Sequence, residues 1–370
     1  MKICYLANTA IPSTNASAIQ IVKMCEAFSN LKNKVILITT NASKGNINNF
    51  YNIKTKFEFK KLQYFKKFPL GIKYYLFSFL SIIESTKFKP DIYITRNFFT
   101  CFLLILFKKK TILELHHDLN IEARIVKFIV KNFDFLNSKY LIKLIAITNY
   151  VKRDYISKYS IKSNKIIVLP SGSSIEENYN YSPSKKNLNI GYLGSLYKSR
   201  GIELIMKLAK IDPKNNYYVY GNKKQVKLSI SKKIGKNLYL YDYVAYKKIS
   251  KILLKMDLLL MPYTSSITVA GDVGDITKYT SPLKLFDYLS VGRPIMCSNF
   301  DVLKEIVGDN KNAIFVKNYK NIYAWKKEIT KLSNQLEKMK IISKNNYNLS
   351  KKYSLKKRAK KIIDEIKSFA

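Results

Sequence analysis

The sequence predicts an α/β protein with two successive doubly wound, Rossmann-like domains. Short apolar runs alternate with longer segments of helical period along most of the chain, which is typical of parallel βαβ units. A chain of 370 residues is too long for one ordinary core and suits two domains of moderate size. With 47% hydrophobic residues, 28 Tyr and 20 Phe, the composition excludes a disordered chain.

The predicted first domain covers residues 1–172. Its apolar runs have polar residues only at their ends, as in strands that helices cover on both faces. The predicted strands are residues 2–7, 34–39, 91–95, 111–115, 144–148 and 166–169, and the predicted helices include residues 19–31 and 70–85.

The alternating pattern breaks after residue 170, where a polar stretch with a Ser-Pro-Ser sequence begins. We interpret residues 173–187 as a hinge and residues 188–350 as a second domain. Its predicted strands are residues 188–193, 216–220, 238–241, 257–261, 294–297 and 313–316, and the chain from residue 322 onward has a helical pattern. Because ligands bind at the carboxyl ends of strands in open α/β sheets, two such domains predict a ligand cleft between them.

The formal net charge of +41 favours nucleic acid, an anionic membrane surface or phosphate-bearing substrates as partners. Lys residues are spread along the whole chain, so a biased base composition of the genome is an equal explanation. The four cysteines form no CxxC pair, so we expect four buried thiols and neither a zinc site nor a disulfide framework.

We expect no cleaved leader, because the start of the chain resembles a buried strand. No apolar run reaches the roughly 20 residues that a membrane-spanning helix needs. The nearest run, residues 97–107, is followed by Lys108, Lys109 and Lys110. It is predicted to be a buried helix with a basic end, and an interfacial segment is the alternative.

A glycine-rich turn follows the first strand of the second domain. The strand ends at Gly194, and an amphipathic helix begins after Gly201. Free backbone N–H groups at a helix start attract anions, and Lys198 and Arg200 add positive charge. The spacing is not that of the dinucleotide-binding GxGxxG pattern, which argues against a dehydrogenase. The turn therefore predicts a phosphate site.

A second phosphate site is predicted at residues 279–294. Ser281 is a suitable N-cap, Pro282 suits the first helical position, and Gly292 suits the end of the helix. Asp287 lies one turn after Lys284 and is placed to accept hydrogen bonds from ribose hydroxyls. The alternative is a capped surface helix with an ion pair between these two residues.

The only two histidines of the chain, His116 and His117, directly follow a predicted strand. A neutral imidazole at this position can hydrogen-bond a sugar hydroxyl or polarise an acceptor. A structural role is the alternative.

Taken in order, these segments resemble the retaining glycosyltransferases of family four, which have the GT-B fold. The resemblance covers nearly the whole chain, and its most specific segment is the last one. The matching segments are NASAIQIVKMCEAFSNLKNKVILIT, KPDIYITR, ILELHHD, IAITNYVKRDYI, KIIVLPSGSS, NIGYLGSLYKSRGIELI, MDLLLMPY and SPLKLFDYLSVGRPI.

The resemblance implies roles for individual residues. Gly194 and Arg200 match the glycine and the basic residue that cradle the donor diphosphate. Asp287 matches the second acid of the E-x7-E pattern, which holds the ribose, and His116 matches a histidine near the sugar. The expected catalytic residues are His116, Arg200 and Asp287. The expected donor-binding residues are Gly194, Ser195, Lys198, Arg200, Ser281, Pro282, Leu283, Lys284 and Asp287.

The chain departs from the family pattern in the first loop, residues 8–17, which has no glycine, in the hinge, where SGSS replaces the usual asparagine and aspartate, and at two positions near the donor. Ser195 stands where many members have an arginine, so Lys198 and Arg200 would carry more of the diphosphate charge. Tyr279 stands eight residues before Asp287, where the first glutamate of the pattern usually is, and Asp272 or Asp275 is the candidate substitute. The expected contacts to the acceptor or the sugar are Ser17, His117, Asp275 and Tyr279.

The resemblance implies a metal-independent, retaining transfer of a hexosyl or N-acetylhexosaminyl group from a nucleoside diphosphate sugar, without a cofactor. The implied acceptor is a glycan or a lipid-linked glycan in cell-surface polysaccharide or lipopolysaccharide synthesis. We expect a cytoplasmic protein attached to the anionic inner face of the membrane through its charge and residues 98–110, and no nucleic acid partner. Residues 351–370 are expected to cross back to the first domain. The alternatives are a sugar-nucleotide epimerase and a catalytically silent scaffold or basic binding protein.

Overall fold

The structure is a computed structural model that describes residues 1–41, 45–62, 69–226, 235–264, 267 and 275–369. The chain forms two compact units. The first contains residues 1–172 and 355–370, and the second contains residues 173–354. The residues that we interpreted as a hinge, 173–187, thus group with the second unit, and the C-terminal residues group with the first.

The first unit contains a seven-stranded parallel sheet with the strand order β3-β2-β1-β4-β5-β6-β7. Strands at its centre are buried on both faces, as their apolar runs predict. The strands are β1 (Lys2–Ile11), β2 (Lys34–Asn41), β3 (Glu58–Leu62), β4 (Ile92–Thr95), β5 (Thr111–Leu115), β6 (Leu141–Ala146) and β7 (Ile166–Val168).

Helices connect these parallel strands, as βαβ units require. They are α1 (Ala16–Asn30), α2 (Ile47–Tyr51), α3 (Leu70–Thr86), α4 (Phe98–Leu106), α5 (Arg124–Asn132) and α6 (Asn149–Tyr159), and the last helix of the chain, α13 (Leu355–Lys367), also belongs to this unit. The apolar run at residues 97–107 is largely the buried helix α4, with Leu106 and Phe107 exposed at its end.

The second unit contains a six-stranded parallel sheet with the order β10-β9-β8-β11-β12-β13. Its strands are β8 (Asn189–Leu193), β9 (Asn216–Tyr220), β10 (Leu238–Tyr241), β11 (Leu258–Met261), β12 (Ile295–Ser298) and β13 (Ala313–Val316). Its helices are α7 (Ile202–Ile211), α8 (Ile249–Leu253), α9 (Leu283–Ser290), α10 (Asp301–Lys304), α11 (Ile322–Ser333) and α12 (Leu336–Ser350). The prediction of two Rossmann-like parallel sheets is confirmed.

Both sheets reverse their strand order next to the first strand, at β1/β4 and at β8/β11. Ligands of open α/β sheets bind beyond the carboxyl ends of the strands at such switch points. All four cysteines are buried free thiols, as expected. In the described part of the chain, no helix combines the length and the apolar character that a bilayer span requires.

Candidate functional site

The switch point of the second unit brings two loops together. Gly194 follows β8, and Pro262 and Tyr263 follow β11. Gly201 links a single 3-10 turn, Lys198–Arg200, to α7 and has a φ of 81°. A Cβ atom at this residue would lie 1.8 Å from the Pro262 carbonyl oxygen, so only glycine fits. This close packing fixes the position of Arg200 beside the end of β11.

Lys284, in the first turn of α9, points into this switch point. Its Nζ lies 4.2 Å from the ring centroid of Tyr192 and donates to the Tyr192 hydroxyl at 3.0 Å. The Tyr263 ring lies 5.3 Å from the same Nζ and 5.4 Å from the Arg200 guanidinium carbon. A Cβ atom at Gly194 would lie 2.9 Å from Lys284 Nζ. The glycine therefore leaves the space that the ammonium group occupies.

Lys284 and Arg200 lie next to the same aromatic ring. Holding two like charges this close in a partly buried place has an electrostatic cost. Burial, together with the charge of Arg200, lowers the pKa of Lys284 well below its ordinary value. Within the described residues, no carboxylate forms an ion pair with Lys284. A bound anion would relieve this cost, because an opposite charge favours the protonated form. The site is therefore suited to a polyanion such as a diphosphate.

The start of α9 differs from the prediction at Ser281. Pro282, with φ −72° and ψ 122°, occupies the N-cap position, and the helix begins at Leu283. A proline accommodates this extended conformation because its ring already holds φ near this value. The Pro282 side chain makes no capping hydrogen bond, and the first N–H groups of the helix start beside Lys284, where they suit an anion. Gly292, with φ 61°, follows the helix as predicted.

Asp287 is buried and accepts hydrogen bonds from two hydroxyl groups. Ser173 Oγ donates to its Oδ1 at 2.6 Å, and the Tyr246 hydroxyl donates to the same atom at 3.4 Å. Burial raises the pKa of Asp287 to about 6, although both hydrogen bonds favour its charged form. The proposed alternative, an ion pair with Lys284, does not form, because Lys284 turns toward Tyr192. Within the described residues no donor contacts Oδ2.

The other residues predicted in this unit make no direct side-chain contact with Lys284 in the described structure. Ser195 is exposed, and its carbonyl accepts from the Tyr192 hydroxyl at 2.7 Å. Lys198 is exposed on the 3-10 turn. Asp275 is exposed and accepts from the Thr277 backbone N–H at 2.8 Å. Tyr279 is half-buried. Asp272 lies outside the described residues.

A buried ionic network lies at the switch point of the first unit. Glu114 of β5 accepts from Arg358 Nη1 at 2.7 Å, from Arg96 Nε at 2.8 Å and from the Tyr5 hydroxyl at 2.9 Å. Burial opposes the charged carboxylate, but the charges of Arg358 and Arg96 keep the pKa of Glu114 well below its ordinary value. Arg358 belongs to α13 and also donates to the Pro170 carbonyl. The network therefore fastens the last helix to the end of the strand that leads into His116.

His116 directly follows β5, and its Nε2 lies 3.5 Å from Glu114 Oε2. Burial and the charge of Arg96 lower the pKa of His116 to about 4, so the ring is neutral at pH 7. His117 Nε2 instead lies 3.4 Å from Oε1 of the partly buried Glu122. Ser17 is exposed in the first turn of α1. Of the two histidines, only His116 is held by the buried network.

We expect His116 to titrate near pH 4 and to do so at a higher pH in Arg96→Met, because that substitution removes a neighbouring cation. Nuclear magnetic resonance can follow the ring directly, since the chain has only two histidines. His116→Gln assigns the signals. A His116 signal that titrates near pH 6.5, the usual value for histidine, would contradict the burial of this ring.

Sequence reasoning missed several residues of both clusters. Tyr192 and Tyr263 contact the two cations, and Ser173 and Tyr246 donate to Asp287. Tyr192, Tyr263 and Ser173 lie inside segments that resemble the family, but nothing local assigned them these contacts, and Tyr246 lies outside those segments. Glu114 did carry a signal. A single carboxylate inside the otherwise apolar segment TILEL indicates a buried ion pair, because a lone buried charge is too costly.

Residues 174–349 match the family model described as "Glycosyl transferases group 1". No curated protein matches the chain. A solved glycosyltransferase from Rickettsia africae is similar, with a TM-score of 0.73, 15% identity and coverage of 100% of this chain and 98% of that one. The Anabaena HepE protein in complex with UDP-glucose has a TM-score of 0.71, 13% identity and complete coverage of both chains, 100% each.

A third similar structure is WaaG, a glycosyltransferase involved in lipopolysaccharide biosynthesis. Its TM-score is 0.65 at 12% identity, and the alignment covers 98% of this chain and 99% of that one. At these identities the likeness concerns the fold. The neighbours are GT-B glycosyltransferases, and the chain has the GT-B fold predicted from its sequence.

Proposed function

We propose that this chain, whose residues 174–349 match the family model of the group 1 glycosyl transferases, moves a sugar from a nucleoside diphosphate sugar to an acceptor hydroxyl with retention of configuration. The observation that carries the proposal is the partly buried Lys284 beside Arg200, at the start of α9. Such a cluster suits two linked phosphates. The Anabaena neighbour in complex with UDP-glucose supports this class of donor.

In the proposed reaction the bond between the anomeric carbon and the diphosphate oxygen breaks, and the acceptor oxygen forms the new bond. The acceptor proton passes to the departing diphosphate. Lys284, Arg200 and the first N–H groups of α9 stabilise the charge that develops on that leaving group. Asp287 accepts from the ribose through Oδ2, and neutral His116 hydrogen-bonds the sugar. These protein cations compensate the charge without a metal or a cofactor.

The proposed acceptor is a glycan or a lipid-linked glycan, and the transferred group is a hexosyl or N-acetylhexosaminyl group. Synthesis of cell-surface polysaccharide or lipopolysaccharide at the cytoplasmic face of the membrane is the proposed setting. Two observations support it: the similarity to WaaG, and the net charge of +41, which favours an anionic surface.

A thermal-shift screen against UDP, GDP, ADP, CMP and their sugars tests the donor class. A ligand that binds only the folded protein raises its melting temperature. We expect one diphosphate to do so by several degrees, and the shift to disappear in Arg200→Ala and in Asp287→Ala. No shift with any nucleotide, together with strong binding of DNA or RNA at low salt, would contradict the transferase and favour a basic binding protein.

We expect affinity for the nucleotide sugar to fall as the pH drops through about 6, because Asp287 is then protonated. Asp287→Asn should bind more weakly at pH 7 and lose this pH dependence. Calorimetry should use the nucleotide sugar, since a terminal phosphate itself titrates near pH 6. Equal pH profiles for the two proteins would contradict a ribose contact by the carboxylate.

A further inference from the structure

The helix α5 and its flanks carry an exposed apolar face. Ile121, Ile125, Phe128 and Phe133 are 48%, 47%, 61% and 48% exposed. The opposite side of α5 is also apolar and packs into the core of the unit. Single exposed apolar residues are common, but a group of this size marks a surface that another body covers.

Cations lie next to this apolar face. Arg124, Lys127 and Lys131 are all exposed, and their spacing places them on one side of α5 along its length. Ile125 and Phe128, three residues apart, form the adjoining stripe. An apolar stripe beside a cationic stripe is the arrangement of a helix that lies in the interface of a lipid bilayer.

The apolar face continues across α4 to α3. On α4 the Phe102 ring lies 5.4 Å from that of Phe133, and the Phe99 ring lies 6.0 Å from that of Phe79. On α3, Ile72, Phe79 and Ile83 are 50%, 45% and 63% exposed. The surface therefore extends beyond a single helix and suits a broad, flat partner.

A cavity of about 540 Å³ opens beside the cationic side of α5. Its lining includes Phe133, Asp134, Tyr159 and three lysines. Lys158 is already paired with Asp118 at 2.6 Å and with Asp154 at 2.7 Å, so Lys127 and Lys131 are the lysines available to a ligand. Phosphate groups attract such lysines, and each Lys near an anionic bilayer contributes on the order of 1 kcal/mol to attachment. The cavity adds a place for an anionic headgroup next to the apolar face.

We propose that this surface, formed by α5 with its flanks and the exposed residues of α3, docks onto an anionic lipid bilayer. A second copy of the chain is disfavoured, because two chains with a net charge of +41 each repel one another. Nucleic acid would not cover the aliphatic side chains. In the segment at residues 98–110, which the sequence suggested for attachment, the body of α4 is largely buried, whereas Leu106, Phe107 and the three lysines at residues 108–110 are exposed. The docking surface is independent of the donor site.

Co-sedimentation of the full chain with vesicles tests this assignment. One set of vesicles is phosphatidylcholine alone, and the other is an equimolar mixture of phosphatidylcholine and phosphatidylglycerol. We expect binding to the anionic vesicles only, weakened at least about thirtyfold in the double variant Lys127→Glu/Lys131→Glu. Lys327→Glu/Lys331→Glu is the matched control, since it reverses two exposed charges with the same spacing on α11 in the other unit.

A second pair of variants tests how much the exposed apolar side chains contribute to vesicle binding. Ile125→Ser/Phe128→Ser should weaken binding at high salt, whereas Ile341→Ser, at a residue that is 61% exposed on α12, should not. Circular dichroism checks that each variant is folded. Absence of binding to either vesicle would overturn the proposal, and so would equal losses in the two lysine variants. A dimer that dissociates in Ile125→Ser/Phe128→Ser would instead assign the surface to a second copy of the chain.

Discussion

Lys284→Ala should weaken the binding of nucleoside diphosphates about ten- to hundredfold, because a hydrogen bond from a charged group is worth about 1.5–3 kcal/mol. Turnover should fall further, by a factor of about 10²–10³, if the ammonium group meets charge that develops only in the transition state. The melting temperature of the folded protein should not decrease. Burial and Arg200 hold the pKa of Lys284 well below its ordinary value. A lysine whose charged form is disfavoured in this way destabilises the folded protein at neutral pH.

Titration calorimetry and thermal unfolding of Lys284→Ala measure both effects. Lys304→Ala is the matched control, because Lys304 is a lysine of the same unit that also lies near an aromatic ring, 5.9 Å from the centroid of Phe315. We expect Lys304→Ala to bind nucleotide like the parent protein. A lower melting temperature with unchanged affinity in Lys284→Ala would show a structural lysine and remove the main support for the donor site.

Glu114→Gln should destabilise the first unit by about 3–5 kcal/mol, because it leaves Arg96 and Arg358 buried without their shared carboxylate. The contribution of Glu114 has a defined pH range. Its pKa lies well below the ordinary value, so its stabilisation is present above the ordinary carboxyl range and is lost as the pH falls through the lower, folded-state pKa. Urea unfolding at several pH values measures this difference.

Glu365→Gln is the control for this substitution. Glu365 lies on the same helix as Arg358, and its ion pair with Lys143, at 3.0 Å, is more exposed. Pairs near the surface contribute about 0–1 kcal/mol. Equal losses in Glu114→Gln and Glu365→Gln, or a Glu114→Gln loss that does not change with pH, would contradict the role of the buried network.

Most strands of both sheets could be predicted because each is an apolar run that helices cover on both faces. The edge strand β3 was missed because it is not an apolar run covered on both faces. Its residues alternate between exposed and partly covered positions, and the sequence EFKKL shows little apolar content. The predicted N-cap at Ser281 was also wrong, because a local pattern could not distinguish between two adjacent residues that both suit the start of a helix.

For the candidate site, the sequence by itself determined the local parts: a glycine turn after a strand, two basic residues within that turn, and a helix with Lys284 and Asp287 near its start. Only the tertiary structure decided what these parts contact. Tyr192 and Tyr263 meet Lys284 because β8 and β11, far apart in the chain, are neighbours in the sheet. Ser173 meets Asp287, and Arg358 meets Glu114, across still longer separations. Helix starts and turns depend on residues a few positions apart, whereas side-chain pairs at a switch point depend on strand order, which no local pattern contains.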